Sequence, residues 1–142
     1  MTAKSSGLSP AAATAALATL AFDADGLVPA IAQQHDTGEV LMMAWMNRDA
    51  VRETITSGRV CYWSRSRGSL WRKGESSGQV QTLVDFRIDC DGDTILLKVD
   101  QQGVACHTGR RNCFFTSVRD AGPEVVDPVL VSPEQLYGKP SQ

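Results

Sequence analysis

The 142-residue sequence predicts an α+β fold, a single compact domain in which a mostly antiparallel sheet built from hairpins is joined by short helices. Three observations carry that reading. Apolar runs of strand length flank turn-forming residues twice, at 26–33 and 39–46 around His35-Asp36-Thr37-Gly38, and at 80–88 and 94–99 around Asp91-Gly92. Two other stretches open on helix-capping residues, at Ser9 and at Asn47. The length suffices for one real core and falls short of two, and neither an internal repeat nor an interdomain linker interrupts it.

In chain order, residues 1–7 are small and polar and are expected to fray. Ser9-Pro10 then opens AAATAALATLAF, where serine can cap, proline suits the first helical position and alanine is the best helix former, so a short helix is expected. The stretch is similar to the apolar part of a signal peptide. Lys4 is the only positive charge ahead of it, however, and its core is alanine and threonine, so export is not expected. The first hairpin is largely apolar on both faces, which predicts a central place in the sheet. His35 in its turn reads as a solvated loop residue, and the three methionines of its second strand as core filler. Asn47 should cap a helix running through Ser57, with Ala50, Val51 and Ile55 on one face and Gly58 just past its end.

Residues 59–73, RVCYWSRSRGSLWRK, carry five basic side chains and no acid, with Tyr62, Trp63 and Trp71 interleaved. A hairpin turning at Arg67-Gly68 would pair Trp63 with Trp71 across its strands. Functionally, guanidinium forks match phosphate oxygens and an indole face can stack on a purine. Gly74-Glu75-Ser76-Ser77-Gly78 follows at once, and its hydroxyls and backbone N–H groups suit a phosphate cradle. Cys61 reads as a buried thiol. Phe114 and Phe115 are expected to return to the core, and from Asp120 onward Pro, Gly, Ser and charged residues suggest a loosely packed tail. The resulting division is an N-terminal extension with a short helix (1–25), the main domain (26–119) and the tail (120–142).

The densest chemistry lies in 89–113, DCDGDTILLKVDQQGVACHTGRRNC, which holds three of the four cysteines and one of the two histidines. Cys90 sits at the hairpin tip, while Cys106 and Cys113 follow in a Gly-punctuated loop whose backbone is free to bring them back toward Cys90. Three thiolates without a fourth equivalent ligand suit a catalytic zinc that keeps one position for water. Asp89, Asp91 and Asp93 are hard oxygen ligands and suit Mg2+ or Ca2+. An EF-hand is excluded, although Asp100 falls at its twelfth position. The glycine stands fourth instead of sixth, 95–99 reads as strand, and no helices flank the loop.

A net charge of −2 gives no global attraction to nucleic acid or anionic membrane, so any anion binding must be local. Four cysteines are too few for a disulfide framework of this length, and their contexts favour metal binding in a reducing compartment, the cytoplasm by default.

Taken together, LWRKGESSG, DCDGD and CHTGRRNCF resemble the phosphoribosyl-AMP cyclohydrolases of histidine biosynthesis, with Ser64-Arg65 also fitting. The resemblance runs from the strand at Glu39 to Phe114. It implies zinc on Cys90, Cys106 and Cys113, Mg2+ near Asp89, Asp91 and Asp93, and a homodimer whose subunits share each active site. It also implies hydrolytic opening of the N1–C6 bond of phosphoribosyl-AMP by a zinc-activated water, with His107 moving protons. Arg65, Trp71, Arg72, Lys73, Glu75, Ser76, Ser77 and Arg110 are the expected substrate-binding residues, and Arg67 and Arg111 add to the supply of cations for two phosphates. No pyrophosphohydrolase domain accompanies the motifs. A purine deaminase would need H-x-E and P-C-x-x-C, which are absent. A single-stranded RNA-binding module could use the basic aromatic hairpin but would leave the cysteines and aspartates unexplained.

Overall fold

The computed structural model describes residues 7–137, and Ser9 opens the first helix. Its Oγ accepts the Ala12 N–H at 3.1 Å and Pro10 takes the first position of helix α1 (Pro10–Thr19), whose Ala13 and Leu17 are buried. The fraying expected for 1–7 lies, Gly7 apart, outside the described residues. Helix α2 (Arg48–Ser57) follows the caps read in its sequence. Asn47 Oδ1 accepts the Ala50 N–H at 2.9 Å, and Gly58 ends the helix at φ 76°, a left-handed conformation that disfavours any Cβ. Ala50, Val51 and Ile55 are buried, as is Thr54, whose hydroxyl bonds both backbone groups of Cys61 and so ties α2 to the sheet.

Strands β1 (Val28–Gln34), β2 (Val40–Met46), β3 (Cys61–Ser64), β4 (Ser69–Arg72), β5 (Gln81–Ile88) and β6 (Ile95–Gln101) form one sheet in the order β4-β3-β2-β1-β6-β5. Every neighbouring pair is antiparallel except β1 with β6, which run parallel. The first hairpin does lie at the centre, and its inward residues Val28, Ala30 and Ala32 pack with Leu41, Met42 and Met46. The sheet curls until its far strand meets its beginning. Val60 N–H reaches the Gln81 carbonyl at 3.0 Å, and Arg59 bridges to Thr82. Inside that curl, Tyr62 donates to Gln81 Oε1 at 2.7 Å, and Gln81 Nε2 donates to Gln101 Oε1 at 2.8 Å, so the buried polar groups satisfy one another.

Three expectations need correction. Trp63 does not face Trp71. Four residues, 65–68, separate Ser64 from Ser69, and that loop length sets Tyr62 opposite Trp71 and Trp63 opposite Leu70. Phe114 does not return to the core but is 57% exposed, because its N–H turns back to Asn112 Oδ1 at 2.8 Å. Residues beyond Asp120 are not merely loose. They complete a second, two-stranded sheet of β7 (Thr116–Arg119) with β8 (Gly122–Val125) and then form the short helix α3 (Pro133–Tyr137), whose Leu136 is buried. Among the described residues, no helix is long and apolar enough to cross a membrane.

Candidate active site

A cleft of about 420 Å³ opens beside β4 and collects most of the expected catalytic and substrate-binding residues, though none of the expected metal ligands. Trp71, Arg72 and Lys73 line it from the end of β4, Glu75, Ser76 and Ser77 from the following loop, and His107 from the loop after β6. The 74–77 loop folds this way because Gly74 has φ +83° and lies so close to Val80 that a Cβ there would collide with its backbone nitrogen. Lys73 is buried beside Trp71, with Nζ 5.8 Å from the ring centroid. That burial lowers its pKa, and the negative charge available on Cys113 and Cys106 partly offsets the effect. Arg72 is already paired, its guanidinium gripping Glu53 through two bonds of 2.6 and 2.9 Å, which raises its pKa further.

Cys106 and Cys113 do not line this cleft themselves but are charge neighbours of Lys73, which does. A chain of long-range bonds holds their loop onto the sheet. Cys113 N–H donates to the Leu41 carbonyl at 2.7 Å, while within the loop Cys106 N–H donates to the Arg110 carbonyl at 3.1 Å. Arg111 reaches Gln34 Oε1 at 3.0 Å and Glu39 Oε1 at 3.2 Å and also donates to the Gly103 carbonyl, while Asn112 Nδ2 donates to Glu39 Oε2 at 2.9 Å. Cys106 is buried, with Thr108 Oγ1 3.1 Å from its sulfur. Cys113 is exposed as a residue, yet its thiol presses against that of Cys106. Burial of the sulfur first, and then repulsion and hydrogen bonding from Cys106, push its pKa up to about 12. Two neighbouring thiols that resist joint ionisation are the donor pair a soft divalent cation would stabilise, so the set fits zinc.

The second ligand cluster lies elsewhere. Asp89, Asp91 and Asp93 crowd the exposed β5–β6 turn, where one oxygen from each lies within 4.8 Å of the others. Slight burial opposes the ionisation of Asp89, but hydrogen bonds from Asp93, from the backbone N–H groups of Asp93 and Thr94 and from Asp91 outweigh it and lower its pKa. Asp93 is raised, first by its hydrogen bonds with Asp91 and Asp89 and then by burial and repulsion. A hard cation would relieve that repulsion, so these oxygens fit Mg2+ or Ca2+.

Cys90 shares that turn and is exposed. The expectation that the loop brings Cys106 and Cys113 back toward Cys90 does not hold within one chain. Cys90 precedes β6 and the other two follow it, and among the described residues the three aspartates are the only group of three His, Cys, Asp or Glu side chains whose ligand atoms lie within 4.8 Å of one another. Two of the expected substrate residues also lie outside the cleft lining. The Arg65 guanidinium covers the Trp45 ring at 4.7 Å, and that of Arg110 covers Phe115 at 4.2 Å while Nε donates to the Asp127 carbonyl at 2.9 Å. With Arg65 and Arg72 so engaged and Trp71 leaning on Tyr62 at 5.5 Å, the basic hairpin lacks the row of free aromatic faces that RNA stacking would need. Two residues of the cleft were not singled out for it, namely Ser66 and Tyr137. For Tyr137 a signal existed. Ser132-Pro133 repeats the Ser-Pro helix start seen at Ser9, and Gln135 completes a capping box.

Comparison with known proteins bears on this arrangement. The family model described as phosphoribosyl-AMP cyclohydrolase matches residues 42–115, which include β3 to β6, the 74–77 loop and both ligand clusters. A phosphoribosyl-AMP cyclohydrolase of Paramagnetospirillum magneticum is 72% identical over 125 residues, covering 88% of this chain and 95% of that one. The one from Rhodospirillum rubrum is 69% identical over 129 residues, covering 89% and 90%. That of Halorhodospira halophila is 65% identical over 125 residues, covering 88% of each. With the family match spanning more than half of its length, the chain belongs to the phosphoribosyl-AMP cyclohydrolase family, whose members are hydrolases of histidine biosynthesis.

Proposed function

We propose that this chain hydrolyses the N1–C6 bond of the adenine ring of phosphoribosyl-AMP, with zinc on Cys106 and Cys113 of one protomer and Cys90 of a second, and with Mg2+ at Asp89, Asp91 and Asp93. The observation that carries the reading is the convergence of an indole, a buried ammonium, a hydroxyl-rich loop and an imidazole on one cleft beside two sulfurs. A zinc ion there would supply a water acidified toward neutrality and thus reactive toward an electron-poor ring carbon. His107 lines the cleft next in sequence to Cys106, and an imidazole can both take and return a proton at physiological pH. Ser76, Ser77 and the N–H groups of their loop offer donors for one phosphate, and Lys73 supplies positive charge. Arg72 can join only by exchanging Glu53 for phosphate.

The homodimer belongs to the same reading, and two features support it. One chain offers two neighbouring sulfurs beside Lys73 and keeps the third in the turn that precedes β6. On the outer face of the curled sheet, Leu96, Ile31 and Met43 stand in one cross-strand row, and Pro29, Trp45 and Trp63 stand in the next, an apolar surface suited to a second copy. A reducing cytoplasm would keep the thiols available for metal.

The deciding experiment follows ring opening of phosphoribosyl-AMP by absorbance, with zinc content measured alongside. Stoichiometric zinc, turnover lost on chelation and turnover regained with added zinc are expected. Full activity in zinc-free protein would sink the metal assignment. Absence of turnover together with salt-sensitive RNA binding would return the chain to the RNA-binding reading.

A further inference from the structure

The C-terminal segment past residue 115, where the family match ends, is built into the cleft. Leu130 and Val131 N–H both donate to the Gly109 carbonyl, at 2.8 and 3.1 Å, and Arg110 grips the Asp127 carbonyl. Gly109 lies at φ +88°, where a Cβ would collide with the Val131 carbonyl oxygen, so the segment passes over the cysteine loop only because no side chain is there. Ser132 and Gln135 then cap each other and start α3. Leu136 anchors the helix at 6% exposure, and Tyr137 is left half exposed in the wall that also holds Trp71, Lys73 and His107.

We infer that Tyr137 is a substrate-binding residue of this cleft, its ring packing against the base of the purine nucleotide whose phosphate the 74–77 loop receives. The inference rests on the reading of the cleft as a nucleotide site. Trp71 is committed on one side to Tyr62, with ring centroids 5.5 Å apart, and Tyr137 is the one other Phe, Tyr or Trp ring among the residues lining the cleft that a base could pack against. A tyrosine ring suits that role because it offers a large flat apolar area with few torsions to freeze. The buried Leu136 and the double bond to Gly109 fix where that ring is presented.

The test uses the full chain, with AMP as the binding probe read through tryptophan fluorescence and with steady-state turnover of phosphoribosyl-AMP measured in parallel. Tyr137→Ala is expected to weaken AMP binding and to raise KM by about tenfold, the scale of one lost base–aromatic stack, with kcat and zinc content close to wild type. Tyr137→Phe keeps the ring and should stay within about twofold of wild type in both measurements. Unchanged AMP affinity in Tyr137→Ala overturns the inference, and so does a Tyr137→Phe variant as weak as Tyr137→Ala. Loss of kcat and zinc at unchanged KM would also overturn it, since that pattern marks a strap that only braces the loop. Because AMP binding is read apart from turnover, a wild-type protein that binds AMP without opening phosphoribosyl-AMP counts against the proposed reaction alone.

Discussion

The two ends of β6 (Ile95–Gln101) carry the two halves of the proposed metal chemistry, and they are built by opposite means. At one end the Asp89–Asp93 turn rests mainly on its own bonds, with one outside tie from the Ala21 N–H to the Gly92 carbonyl at 2.7 Å. Asp89 Oδ1 accepts the N–H groups of Asp93 and Thr94 at 3.0 and 3.3 Å, Asp89 N–H pairs with the Thr94 carbonyl, and the three carboxylates stay exposed. At the other end the Cys106–Cys113 loop is held from outside, through Gln34 and Glu39 of the first hairpin, Leu41 of β2 and the strap at Leu130 and Val131. Hard, hydrated cations tolerate an exposed turn of carboxylates. Thiolates instead need a dry, rigid frame if a metal is to find them ready, and this chain provides that frame only by folding completely.

The largest expected effect joins the two ends. Cys106→Ser or Cys90→Ala should each abolish turnover, yet mixing Cys90→Ala with Cys106→Ala protein under subunit exchange should restore about a quarter of wild-type activity, since half the dimers are hybrids with one intact site of two. If hybrids form and stay inactive, the two ends do not meet between chains.

A smaller effect separates the frames. Arg111→Ala removes the bonds to Gln34, Glu39 and the Gly103 carbonyl, and should cost about 2 kcal/mol of stability in metal-free protein because it strips a partly buried, charge-assisted cluster. Zinc affinity should fall with it while Mg2+ dependence is unchanged. A thermal melt and a zinc competition assay on the same sample decide this, and a melt identical to wild type would show that the loop holds itself.

The smallest belongs to the exposed turn. Asp91→Asn should raise the Mg2+ concentration needed for activity, leave zinc content normal and move stability by less than about 0.5 kcal/mol, as an exposed side chain with local partners should. Loss of zinc at an unchanged Mg2+ requirement would reverse the division of ligands between the two ends.

Local rules in the sequence determined the parts of this protein that close within a few residues. Ser9 and Asn47 capped their helices, Gly58 ended α2, and the turns at 35–38 and 91–92 produced the hairpins, because each depends on backbone dihedrals and hydrogen bonds that neighbours supply. The Trp63–Trp71 pairing failed at a local point, the length of the 65–68 loop, since a shift of one residue moves every side chain to the other face. Ligand types were legible as chemistry in their motifs, but where those ligands stand was not. Only the tertiary structure set Cys90 apart from Cys106 and Cys113, withdrew Arg65 and Arg110 onto Trp45 and Phe115, and turned the expected tail into a strap that carries Tyr137 into the cleft. Each of those outcomes depends on partners distant in sequence, Leu41 for Cys113, Asp127 for Arg110 and Val131 for Gly109, and such pairings are fixed by packing of the whole chain and not by the residues beside them.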